Sequence, residues 1–240
     1  MKKVLALTLS LLILVSTIVV GFTGITAAAE ENITTNLMDI SLWEKSTARP
    51  YIKITEAVED GYNTIKIYDS QYSYVYVTME LKPDTEYQMQ FDFKSAYKFD
   101  CYEIWPTKCN CTPKSNGGVG PGEGYTTDDR LVINYTYFGD KTDNINWYEN
   151  NDINFKTNAT DSSYQFFLTF GGIRDAATNA TKSTFFKNFT VKEKVIASAD
   201  VLGNGTANVS KSEGCYGDDV TYTATANNGE EFLGWYKDAF

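Results

Sequence analysis

The stretch "LKPDTEYQMQFDFKS", residues 81–95, leaves this chain little choice of fold. Pro83 and Asp84 open it as a turn. Tyr87, Met89, Phe91 and Phe93 then alternate with Gln88, Gln90, Asp92 and Lys94. A period of two places all the rings on one face of a strand and all the amides and charges on the other, so the segment has to lie in a sheet with one face buried. The same period recurs in "NTIKIYDS" and in "YSYVYVTMEL", where Tyr72, Tyr74 and Tyr76 oppose Val75 and Val77. It returns in "RLVINYTYFG" (130–139), "INFKTN" (153–158), "YQFFLTFGG" (164–172) and "TFFKNFTVKE" (184–193). Turn residues separate these runs and no long stretch keeps helical spacing. The expectation is an all-β chain, its one-sided strands buried as a two-sheet sandwich or jelly roll.

The first residues have another character. Lys2 and Lys3 precede an almost wholly apolar run from Val4 to Val20, and Ala27-x-Ala29 offers a small-residue cleavage site. Residues 1–29 read as a signal peptide with a helical apolar segment, so the protein is expected to be exported and to keep no membrane anchor after cleavage. Losing Lys2 and Lys3 takes the net charge from −10 to −12. That balance argues against nucleic acid or anionic lipid as partners. The chain has no histidine, which removes the commonest general base and the usual zinc ligand. Carboxylate chemistry of the glycosidase kind survives that exclusion, but the sequential acidic pairs Asp128–Asp129 and Asp218–Asp219 point to opposite sides of a strand. No catalytic residue is assigned.

Near "VKEKVIASADV" aromatic density falls and Gly, Ala and Thr take over, placing a boundary at 194–199. On the near side, "NLMDISLWEK", "LKPDTEYQMQFDFKS" and "KNFTVKEK" resemble the opening, central turn-and-strand and closing elements of the galactose-binding-like jelly rolls that serve as carbohydrate-binding modules. The resemblance runs from Asn36 to Glu193 and implies a jelly-roll domain over 33–194, with a sugar ligand and a structural Ca²⁺. Lys187 stands where that family usually shows Asp, and no Asp-x-Asp-x-Asp loop supplies Ca²⁺ spacing. On the far side, Gly203-x-Gly205, Gly217-Asp218 followed by "VTYTATA", and "GEEFLGWY" resemble the start of an internalin-type B repeat, a small β-grasp-like module. This implies an incomplete repeat over 198–240, with Gly217-Asp218 as its turn and Trp235 capping its core.

Candidate ligand residues fall in two sets. Trp105, Trp147 and Tyr148 lie in or beside expected loops, where a ring can stack on the apolar face of a sugar. Gln88, Gln90 and Asp92, flanked by Tyr74, Tyr76 and Asn134, could floor a shallow groove. Burial is the competing use of the rings, above all of Trp43, and plain solvation that of the polar strand face. Three of the four cysteines crowd into "CYEIWPTKCNC". Without histidine a zinc site lacks ligands, and Cys109-x-Cys111 is not a Cys-x-x-Cys redox motif. In an exported chain the expectation is a disulfide from Cys101 to Cys109 or Cys111, fixing a loop around Trp105.

These readings converge on a non-catalytic secreted or cell-surface protein whose jelly roll binds polysaccharide or cell-surface glycan, with the repeat as stalk and no cofactor beyond the implied Ca²⁺. Two alternatives stand beside it. One is the accessory region of a larger secreted glycoside hydrolase or lyase, the other an adhesin that binds protein. Attachment to the cell wall would come from sequence beyond residue 240.

Overall fold

The computed structural model describes residues 34–47, 52–68, 73–95, 101–114, 119–134, 146–170 and 183–235, without the side chains of Cys101, Ile133 and Asn134. The signal-peptide reading of residues 1–29, Tyr72 and the last five residues lie outside the described residues. In chain order the strands are β1 (Thr34–Asn36), β2 (Trp43–Lys45), β3 (Lys53–Glu59), β4 (Tyr62–Tyr68), β5 (Ser73–Glu80), β6 (Glu86–Ser95), β7 (Cys101–Pro106) and β8 (Thr112–Pro113). They continue with β9 (Val119–Gly120), β10 (Val132–Asn134), β11 (Tyr148–Lys156), β12 (Ser163–Phe170), β13 (Ser183–Ile196), β14 (Gly205–Val209), β15 (Glu213–Cys215) and β16 (Tyr222–Ala226). Among the described residues the only helical segments are three 3-10 turns of three residues each.

The chain divides into two compact units, one over Ile33–Glu193 and the other containing Lys194–Phe240. The first is a jelly-roll sandwich of two antiparallel sheets. One sheet runs β11-β6-β13-β4-β3, with β1 also on β13. The other runs β10-β7-β12-β5-β2. Between them the inward faces meet in one core: Tyr87, Met89, Phe91 and Phe93 of β6 pack with Phe186, Phe189 and Val191 of β13 from one side, and Val75, Val77, Ile104, Phe166 and Leu168 from the other. Phe91, Phe166, Phe186 and Phe189 pack at centroid separations of 5.0–5.8 Å, within the range where aromatic pairs add to their area burial. The alternation expected of residues 87–94 is thus the alternation found. Tyr74 and Tyr76 also share a face opposite Val75 and Val77, as their period requires.

The second unit is lightly built. Residues 194–196 at the end of β13 pair with β15, and β14 pairs with β16 in register Gly205 to Ala226. Gly217, at φ 88°, turns the chain after β15, and the Asp218 carboxylate accepts the Cys215 N–H at 3.0 Å. Trp235 packs edge-on against Tyr222 and Phe232 at 5.8 and 5.5 Å.

One segment departs from expectation. Residues 101–106 form a strand and not a loop, paired with β12 from Cys101–Thr169 to Pro106–Tyr164. Tyr102 and Ile104 point into the main core, and Glu103 and Trp105 to the outer side. The period of two in Tyr102, Glu103, Ile104 and Trp105 suits a strand, and pairing with β12 satisfies backbone groups that a loop would leave unpaired.

Candidate functional site

The two sheets turn very different outer faces away from the core. On the sheet containing β5, β7 and β12, the outer face is roofed by the segment that follows β7. Beneath it Tyr74, Trp105, Cys109, Val119 and Phe167 are buried together, with Tyr76, Cys111 and Tyr125 at the edge. The Trp105 indole N–H donates to Glu103 Oε2 at 2.8 Å, and Arg130 pairs with the same carboxylate at 3.2 Å while lying over the indole at 5.2 Å. Trp105 is fully buried. It is therefore corrected from a stacking ring on a loop to the centre of a second small core, because burying an indole gains more than exposing it once a roof is there.

The disulfide expectation is corrected as well. Cys109 and Cys111 carry free thiols. Cys101 stands opposite Thr169 on β12, and its side chain lies outside the described residues. Burial pushes the Cys111 thiol up to about 12, with Cys109 and Glu103 adding to the effect, and burial raises Cys109 as well. Both are protonated, unreactive groups at neutral pH.

The outer face of the other sheet, which carries Gln88, Gln90 and Asp92, is open at Tyr62, Gln88, Gln90 and Trp147, which keep solvent exposure, and closed over Asp92, Lys94, Phe185 and Lys187, which are buried. Tyr74 and Tyr76 do not flank them, since they belong to the opposite surface of the sandwich. Tyr148 turns inward opposite Phe93 and stacks on it at 5.3 Å, so it supports the core. The backbone of Asn134 pairs with Tyr102 in the roofed sheet, and its side chain lies outside the described residues.

Asp92 organises this face. On each side of it the neighbouring strand bulges: β11 between Tyr148 and Asn151, and β13 between Lys187 and Thr190. Each bulge holds an asparagine in the left-handed region, Asn150 at φ 57° and Asn188 at φ 54°. Asparagine tolerates that conformation better than other non-glycine residues. The Asn150 backbone N–H donates to Asp92 Oδ1 at 2.8 Å and the Asn188 side-chain amide to Oδ2 at 2.7 Å. Asp92, 6% exposed, is thus a clamp between two bulges and not a group that reaches for ligand.

The bulges aim the residues beside them at one spot. Lys187 is buried, with its ammonium 3.7 Å from the centre of the Tyr62 ring, 4.6 Å from Trp147 and 3.0 Å from Glu149 Oε1. The Trp147 indole N–H donates to Asp60 Oδ2 at 3.0 Å, and Lys94 bridges Asp60 at 2.9 Å and Glu59 at 2.6 Å. Lys94 and the Trp147 N–H hold the Asp60 carboxyl below its usual range, while Glu59 raises Lys94. Tyr62 and Trp147 meet at 5.9 Å with their planes 74° apart. Tyr62 remains 49% exposed and Trp147 half-buried. The result is a pre-set pair of rings rimmed by Asp60, Glu149 and Glu59, on the sheet whose β6–β11 ladder carries Gln88, Gln90, Asp152 and Asn154.

Asp60, Tyr62, Glu149 and Lys187 were not among the expected site residues. A signal for two of them was present: "EDGY" carries the Asp-Gly pair of a tight hairpin, and Asp60 and Gly61 indeed have φ of 51° and 83°. Among the described residues no group of three or more His, Cys, Asp or Glu side chains could hold a metal ion.

No protein-family model matches the chain, and no curated protein sequence does. Among solved structures it is similar to a CBM4 protein, at 14% identity over 63% of this chain and 86% of that one, with a TM-score of 0.39. It is similar to the N-terminal CBM22 tandem domain of Paenibacillus barcinonensis Xyn10C, at 11% identity over 73% of this chain and 48% of that one, with a TM-score of 0.40. A third likeness is to TmCBM61 in complex with β-1,4-galactotriose, at 12% identity over 64% of this chain and 90% of that one, with a TM-score of 0.34.

Proposed function

We propose that the protein is a non-catalytic, secreted or cell-surface glycan-binding protein whose sandwich takes sugar on the open face around Tyr62 and Trp147, with the 198–240 module acting as a stalk. The observation that supports this most is the ring pair itself. Two aromatic side chains stand on a polar sheet surface, held by Lys187, Asp60 and Lys94 and not by a hydrophobic core. Holding them so removes most of the ordering cost of binding, and the carboxylates and amides beside them are suited to hydroxyl groups.

The test is a glycan array probed with the full chain after signal cleavage, repeated with Trp147→Ala and Tyr62→Ala. Binding to one or more glycans, reduced at least tenfold by either substitution with an unchanged melting temperature, is the expected result. No glycan bound, or binding that survives both substitutions, would sink the proposal.

A further inference from the structure

The open face carries a second group of rings and cations beyond the Tyr62–Trp147 pair. Along β4 the outward residues are Tyr62, Thr64, Lys66 and Tyr68, and Phe185 of β13 pairs with Lys66 across the strands. The Lys66 ammonium lies 5.1 Å from the centre of the Tyr68 ring and 5.6 Å from that of Phe185. Lys82, Lys94 and Lys187, three other well-covered lysines of the sandwich, each meet a carboxylate, Glu193 at 3.1 Å, Glu59 at 2.6 Å and Glu149 at 3.0 Å, while Lys192, half-buried near the end of β13, meets none among the described residues. Among the described residues Lys66 meets none. Its half-buried charge rests on two rings and faces outward, about 13 Å along the strand from Tyr62.

From this we infer that the ligand of the open face is an acidic saccharide of several sugars, with ring stacking at Tyr62 and Trp147 and a carboxylate or sulfate on Lys66. The inference rests on the glycan-binding reading and narrows it to one chemical class. A cation on an aromatic platform, only partly hydrated and with no counter-ion among the described residues, gains most from an incoming anion. The chain's net charge of −10 works against long-range attraction of a polyanion, so the preference has to arise from contact at Lys66 and not from the field of the whole protein.

The experiment compares oligogalacturonides and sulfated galactans with their methyl-esterified or desulfated counterparts on one array, using the full chain, Lys66→Met and Lys66→Arg. The acidic member of a pair is expected to bind about tenfold or more tightly, the scale of one charge-assisted hydrogen bond. Lys66→Met should abolish that preference while neutral binding persists, and Lys66→Arg should keep it. Equal binding of both members, binding confined to neutral glycans, or an acid preference that survives Lys66→Met overturns the inference and leaves the glycan-binding reading intact. Failure to bind any glycan overturns both.

Discussion

Replacing Asp92 by alanine removes the one side chain that ties the two bulges of the open face together. Its carboxylate accepts from Asn150 at 2.8 Å and Asn188 at 2.7 Å. Hydrogen bonds to a charged group contribute about 1.5–3 kcal/mol each. Asn150 and Asn188 are at exposed positions, so water recovers part of what is lost. The expected cost is about 2–4 kcal/mol for Asp92→Ala and about half that for Asp92→Asn, which keeps one acceptor. Urea unfolding with an unchanged m-value measures it, with Asp152→Ala, an exposed acid on the same face, as the control expected within about 0.5 kcal/mol of the parent. Stability alone does not separate a clamp from an ordinary buried acid. The second readout is therefore amide exchange at Asn150 together with the Trp147 indole N–H resonance. Both should change in Asp92→Ala while the exchange of β12, in the other sheet, stays as it was. If Asp92→Ala costs less than about 0.5 kcal/mol, or if the Trp147 resonance does not move, the bulges hold themselves and the reasoning fails.

Arg130→Met strips Glu103, 2% exposed, of the Arg130 guanidinium and is expected to cost about 3 kcal/mol in chemical denaturation; a loss below about 1 kcal/mol would mean that the remaining contacts of the acid satisfy it. Burial, with help from the Glu44 hydrogen bond at 2.6 Å, pushes Tyr76 up to about 12 from 10. The folded state therefore holds that proton more tightly than the unfolded chain, so the contribution is complete below pH 10 and disappears as pH rises toward 12. Thermal unfolding should lose midpoint across that window, and Tyr76→Phe should flatten the loss. In the second unit, Gly217→Ala forces a side chain into φ 88° and should cost about 1 kcal/mol, read in the isotope-exchange rates of β15 and β16.

The fold was legible because its strands speak locally. Each inward side chain of β6, from Tyr87 through Met89 and Phe91 to Phe93, sits two residues from the next, and nothing distant is needed to read that. The site was only half legible, since Trp147 owes its orientation to partners 87 residues back at Asp60 and 40 residues on at Lys187. Bulges hid the rest. They break the period of two at the positions that matter, so Glu149 and Lys187 carried no pattern to follow. Trp105 failed for the opposite reason: a roof built from the chain after it turned an outer strand face into an interior, and the residues of a roof show no periodicity.

That roof also gives the molecule a clock. Cys109 and Cys111 lie under or at the edge of a layer separate from the main core, and a thiol reagent reaches them when that layer lifts, whether or not the two sheets part. Their labelling rate in native buffer, set beside the rate of global unfolding, reports how often the roof opens alone. The sandwich thus carries a built-in measure of how independently one of its faces breathes.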